Sequence, residues 1–181
     1  MKSILNIKNL SLIALMSALL CLIAPISIPV GPVPITLSLF IIYIISYILD
    51  TKQAVLSVLI YLLIGAIGIP VFAGYKSGLA VILGPTGGYL VSYLIIVFIS
   101  SYFNKKYYKN KIIQLFAMFI ALILCYICGT LWFSVFKKMS FTESLIICVF
   151  PFIITDVIKI VAAFVLGTEI RRRLKSSADN N

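Results

Sequence analysis

Apolar residues fill this chain in six long runs, at about residues 9–24, 36–49, 53–69, 84–103, 112–134 and 144–167, with polar or Pro/Gly-rich stretches between them. Runs of this kind predict membrane-spanning helices. The second and third are short for a hydrocarbon core of ~30 Å, which takes about 20 helical residues, so their ends are expected to extend into the adjoining loops. Pro25, Pro29, Pro32 and Pro34, with Gly31, break the chain between the first two runs. Gly65, Gly68, Pro70, Gly74 and Gly78, then Gly84, Pro85, Gly87 and Gly88, break it again around the start of the fourth. Irregular backbone at membrane depth survives only where protein or a watery cavity satisfies its polar groups, so both breaks are expected to border one cavity. Residues 104–111 read as a basic linker and 168–181 as a polar cytoplasmic tail that frays. No internal repeat is evident.

Composition supports this reading. Of 181 residues, 62% are hydrophobic and 11% charged, and mean hydropathy is +1.18, which excludes a soluble domain. The expectation is an all-α integral membrane protein: a single six-helix bundle over residues 1–181, multi-pass in the cell membrane. A net charge of +10 would suggest nucleic acid in a soluble chain; here the basic residues lie between apolar runs and act as topology signals, so no nucleic-acid partner is expected. With the N-terminus inside, eleven Lys and Arg residues (2, 8, 52, 105, 106, 109, 111, 171, 172, 173 and 175) fall on the cytoplasmic side. Only Lys76, Lys137 and Lys138 fall outside. Both termini are therefore expected to be cytoplasmic, with the Pro/Gly-rich regions 25–35 and 69–83 on the outer face.

Smaller signals leave this picture unchanged. Leu19-Leu20-Cys21 faintly resembles a lipoprotein cleavage site, but with five further runs behind it the first reads as a retained anchor. Cys125 and Cys128 have CxxC spacing without any histidine in the chain, and all four cysteines lie in apolar runs, where they read as small core residues. No metal or other cofactor is expected.

The sixth run carries the chemistry. Asp156 and Lys159 lie in its middle, at i and i+3, on one helical face. Two charges at a bilayer centre cost about 5–7 kcal/mol, against about 4.5–9 kcal/mol returned by the run's fifteen Leu, Ile, Val and Phe residues. The pair should therefore face a protein interior, either as an ion pair that only holds helices together or as a binding site for a small polar molecule.

Four strings recur along the chain in a telling order. Gly31-Pro-Val-Pro-Ile-Thr36 enters the second run, Gly68-Ile-Pro-Val-Phe-Ala-Gly74 follows the third, Gly84-Pro-Thr-Gly-Gly-Tyr-Leu90 opens the fourth, and Thr155-Asp-Val-Ile-Lys159 lies in the sixth. In this order and spacing they resemble the BioY family, the biotin-specific substrate-binding (S) subunits of energy-coupling-factor (ECF) vitamin transporters, over roughly residues 10–167. The resemblance implies high-affinity biotin capture and uptake without catalysis, a transmembrane coupling subunit with two cytoplasmic ATPases, and an outer lid at residues 25–35. It implies ligand contacts from Asp156, Lys159, Tyr89, Thr86, Gly87, Phe72, Ala73 and Gly74. It also makes Ala14 and Ala18, in Ala14-Leu-Met-Ser-Ala18, a docking face for the coupling subunit.

The residue chemistry suits this cargo. A buried carboxylate accepts a ureido N–H, an ammonium donates to an acceptor oxygen, and Tyr89 offers a ring face and a hydroxyl. The glycines of Gly84–Gly88 let backbone N–H groups approach a ligand at a helix N-terminus. Other readings stand beside these: Tyr89 as an interfacial anchor, the Gly84 string as helix packing, and Ala14 and Ala18 as an ordinary tight crossing. The Gly84 string is not a nucleotide phosphate loop, since no Gly-Lys-Ser/Thr follows it. The chain departs from the family after Gly74, where Tyr75-Lys76-Ser77-Gly78 replaces an expected glycine-rich stretch; Lys76 is either a solvated loop lysine or an attractor for the ligand carboxylate. Catalysis by Asp156 would need a second convergent group, and Asp50 and Glu143 lie near run ends. A cargo of another small vitamin, or a non-transporting structural role, remain alternatives.

Overall fold

The computed structural model describes residues 6–29 and 33–179, with side chains up to residue 173; Lys2, Gly31, Pro32 and the Lys175 side chain lie outside it. The described chain is a helical bundle. Its long elements are α1 (Ile7–Ile23), α2 (Ser38–Ile48), α3 (Thr51–Ala66), α5 (Gly87–Lys106), α6 (Lys111–Lys137) and α8 (Ile153–Asp179), with short helices α4 (Leu79–Ile82) and α7 (Phe141–Cys148). Local chemistry sets several starts. Asn6 caps α1 and Asn110 caps α6, while Asp50/Gln53 and Ser140/Glu143 form capping boxes on α3 and α7. Asp50 and Glu143 are thus employed at helix ends.

Four expectations are corrected. The second and third runs do not lengthen into their loops: α2 has 11 residues and α3 has 16. At ~1.5 Å per residue α2 is only about 16 Å long. It does not have to match a bilayer, because nine of its eleven residues are buried and neighbouring helices, not lipid, surround it. Among the described residues, only α5 and α6 are single helices long and apolar enough to cross a membrane, and the bent pair of α7 and α8 is so when taken together.

Secondly, the sixth run is not one straight helix: α7 and α8 meet at 57° across residues 149–152. Pro151 has no N–H to donate and disfavours helical geometry in the residue before it, so the helix stops and restarts. Thirdly, the loop after α1 is not wholly irregular. Strands β1 (Ser27–Ile28) and β2 (Ile35–Thr36) pair antiparallel, Ser27 opposite Thr36.

Lastly, residues 168–179 continue α8 instead of fraying. Glu169 accepts from Arg172 and Arg173 at 3.0 Å each, and Arg171 donates to the Asn104 carbonyl at 2.6 Å. The hydrogen bond from Arg173, helped by the charge of Arg172, holds the Glu169 carboxyl below the usual carboxylate range. The basic linker is correspondingly short, with α5 reaching Lys106 and α6 starting at Lys111.

Buried polar contacts join the helices where a hydrophobic drive between them is weak. The Ser17 hydroxyl on α1 donates to the Ile13 carbonyl at 2.8 Å and lies 3.0 Å from the Ser57 carbonyl on α3. The Tyr43 hydroxyl on α2 donates to the Met118 carbonyl on α6 at 3.0 Å. Asn104 on α5 donates to the Ser46 hydroxyl on α2 at 3.0 Å. The Asn104–Ser46 bond, a 2.8 Å Lys105–Asp50 ion pair and the Arg171–Asn104 bond bring basic segments together at one end of the bundle. The hairpin and the 72–76 turn lie at the other.

Candidate functional site

The break at Pro151 decides where the charged pair sits. Asp156 belongs to the first turn of α8, just after the break, and its own N–H bonds the Phe152 carbonyl at 2.8 Å. A carboxylate there is favoured by the unpaired N–H groups and dipole of the helix N-terminus. Its side chain is 5% exposed and that of Lys159 10%. Lys159 Nζ donates to Asp156 Oδ1 at 2.7 Å, and the Tyr126 hydroxyl on α6 donates to Oδ2 at 2.7 Å. Both carboxylate oxygens are therefore held in place, each with remaining acceptor capacity. Tyr126 is not among the residues that the sequence motifs single out. A signal existed: it lies deep within α6, where a tyrosine cannot serve as an interfacial anchor.

This cluster lines a small cavity of about 50 Å³ with Leu39, Cys125 and Phe152. A second cavity of about 80 Å³ lies beside it, bordered by Phe72, Ala73, Lys76, Thr86 and Leu90. Val33, Pro34, Thr36, Tyr89 and Tyr93 line both, so the two are lobes of one site divided by the tyrosines and roofed by β2. The Tyr89 hydroxyl is 2.9 Å from that of Thr130. A side chain at Gly129 would collide with the Tyr89 ring, so that glycine lets the ring lie flat on α6. In the same way Gly65 leaves room on α3 for Phe72, which packs edge-on to Tyr61 at 5.6 Å between ring centroids.

Six of the eight expected ligand residues therefore converge on the cavity: Asp156, Lys159, Tyr89, Thr86, Phe72 and Ala73. Gly74 and Gly87 do not line it. The Gly74 N–H is spent on the Pro25 carbonyl at 2.9 Å, tying the 72–76 turn to the root of the hairpin. Gly87 lies directly under the Ile82 carbonyl and Gly88 against Trp132, so these two glycines serve close packing. At the departure from the family pattern, Tyr75 adopts φ +58°, in the left-handed region that glycine enters freely. The turn closes regardless, through a bond from the Phe72 N–H to the Lys76 carbonyl at 3.0 Å. Ala14 and Ala18 lie far from the cavity, exposed in an apolar groove between α1 and α3 with Leu22, Leu56 and Ile60.

The sequence profile of the BioY family matches residues 1–176. The chain belongs to the BioY family. It is 37% identical over 164 residues to a Pyrococcus horikoshii protein named "Probable biotin transporter BioY", covering 91% of this chain and 96% of that one. It is 34% identical over 170 residues to "Biotin transporter BioY2" of Lactococcus lactis subsp. cremoris, covering 93% of each. A crystal structure at 2.1 Å of the S-component for biotin from an ECF-type ABC transporter superposes with a TM-score of 0.87 at 30% identity, covering 95% of each chain. The membrane helical bundle is thus the fold of this BioY member. α1, α2 and α3 are shorter than free spans, and of these α2 is enclosed by neighbouring helices.

Proposed function

We propose that this protein captures biotin at the divided cavity and serves as the substrate-specific subunit of an ECF-type vitamin transporter. It is a transport subunit and not an enzyme. One observation supports the reading most: a buried carboxylate, pre-oriented by Lys159 and Tyr126, opens onto a roofed cavity in a chain of the BioY family. Asp156 accepts ureido N–H groups, while Lys159 donates to an acceptor oxygen. Tyr89 and Phe72 cover the apolar ring, with Thr86 and Ala73 closing the outer side. The two lobes, about 80 and 50 Å³, fall below the roughly 300 Å³ at which ligand pockets begin. Loading biotin therefore requires the hairpin, or the Tyr89 and Tyr93 side chains, to move aside. The 25–35 segment acts as the lid.

Equilibrium binding of labelled biotin to the purified protein tests this directly. Tight binding supports the reading. No binding by a folded protein, judged by its thermal unfolding, would leave another small vitamin as cargo or a structural role without transport.

The topology has six crossings, with both termini cytoplasmic and the hairpin facing outward. The gathering of Lys105, Lys111 and Arg171–Arg173 at the opposite end supports this orientation. Lys76, on the outer lobe, draws in the tail carboxylate. Lys76→Ala is expected to weaken biotin binding at low salt, by about 1 kcal/mol or less for an exposed charge, and to flatten its salt dependence. Unchanged affinity at both low and high salt would remove that role.

Energy comes from outside the chain, through a transmembrane coupling subunit and two cytoplasmic ATPases. The loaded protein tilts bodily to release biotin inward, a step carried over from the family by analogy. Ala14 and Ala18 admit the coupling subunit to the α1/α3 groove. Ala14→Leu is expected to keep biotin binding and lose uptake in cells; loss of both would make that face part of the fold.

A further inference from the structure

A second polar concavity lies at the basic end of the bundle, away from the biotin site. It encloses about 320 Å³ between the start of α6 and the last described turns of α8, with Tyr47 of α2 also lining it. Lys111, Arg171 and Arg172 line it against a single carboxylate, Glu169. Arg171 is pre-positioned by its 2.6 Å bond to the Asn104 carbonyl, which engages one of its five N–H donors. The Gln114 amide is likewise fixed by donating to the Tyr107 carbonyl at 2.9 Å. A cationic concavity with preset donors suits a phosphate group.

The surroundings select which phosphate. One turn deeper, on the same helical faces as Lys111 and Thr168, lie the partly buried apolar residues Leu115 and Phe164. Beside Lys111, Ile112 is 79% exposed and Phe116 67%, so the hydrocarbon boundary falls within a turn of the cation. A cationic mouth beside exposed apolar side chains matches an amphiphile better than a soluble anion.

We propose that this cleft seats the headgroup of an anionic phospholipid, its phosphate on Lys111 and Arg172 beside the fixed Arg171 and its acyl chain along the exposed Ile112 and Phe116. The lipid anchors the short turn between α5 and α6 to the end of α8, where α8 extends past the bilayer. Native mass spectrometry and thermal unfolding with phosphatidylglycerol, phosphatidylcholine or inorganic phosphate test it. Phosphatidylglycerol is expected to be retained in preference to phosphatidylcholine and to raise the unfolding midpoint. Lys111→Gln with Arg172→Gln should weaken that binding by about 30-fold, at roughly fivefold per cation near an anionic surface. The charge-keeping pair Lys111→Arg with Arg172→Lys should retain it, and biotin binding should be unchanged in both. Equal retention of phosphatidylcholine, or undiminished phosphatidylglycerol binding in the glutamine variant, would overturn the proposal. So would equal stabilisation by inorganic phosphate, which would assign the cleft to a soluble anion.

Discussion

Asp156→Ala is expected to abolish tight binding of labelled biotin by the purified protein while leaving it folded. The carboxylate is the only acidic group lining the cavity among the described residues, and it sits 2.7 Å from both Lys159 and Tyr126. Its loss removes the ionised acceptor for the ureido N–H groups, and hydrogen bonds to charged groups contribute about 1.5–3 kcal/mol each. One or two such bonds, at about 1.4 kcal/mol per tenfold, place the affinity loss between roughly 10-fold and 10⁴-fold. Equilibrium binding reports the loss, and thermal unfolding without ligand checks the fold. Retained affinity in a folded variant would move the site away from α8.

Asp156→Asn and Lys159→Met, measured singly and together, are expected to be strongly non-additive. Either single change leaves one member of a buried pair without its ionic partner, which costs about 3–5 kcal/mol in comparable settings. The double change removes both charges at once, so it should cost less than the sum of the singles, with a coupling energy of about 0.5–3 kcal/mol. Tyr126 strengthens this expectation, because its hydroxyl bonds the other carboxylate oxygen and keeps a neutral acceptor when Asn replaces Asp. The cycle is read as biotin affinity and as unfolding midpoint. Strict additivity in both would mean that the two residues act separately, and that Asp156 alone carries recognition.

Particular residues mark where local pattern suffices and where it fails. Spacing alone places Asp156 and Lys159 on one helical face, and the ion pair follows from that. The helical continuation past residue 167 also has a local signal, Glu169 with Arg172 and Arg173 at i+3 and i+4. Other features are non-local. Tyr126 is 30 residues from Asp156, and Pro34 and Thr36 reach the cavity only because β2 folds over it. Gly65 and Gly129 resemble other small residues in a membrane helix until Phe72 and Tyr89 are seen packed onto them.

The sequence by itself determined the class, the apolar runs, the charged pair and the clustering of cations, because hydrophobic transfer and charge exclusion from a bilayer act on each segment separately. Only the tertiary structure decided that the pair begins a helix after a break and that Tyr126 completes its coordination. It likewise decided that α2, too short to cross a membrane alone, is buried by its neighbours. Those outcomes depend on which surfaces meet, and packing partners far apart in the chain leave no periodic trace in the order of its residues.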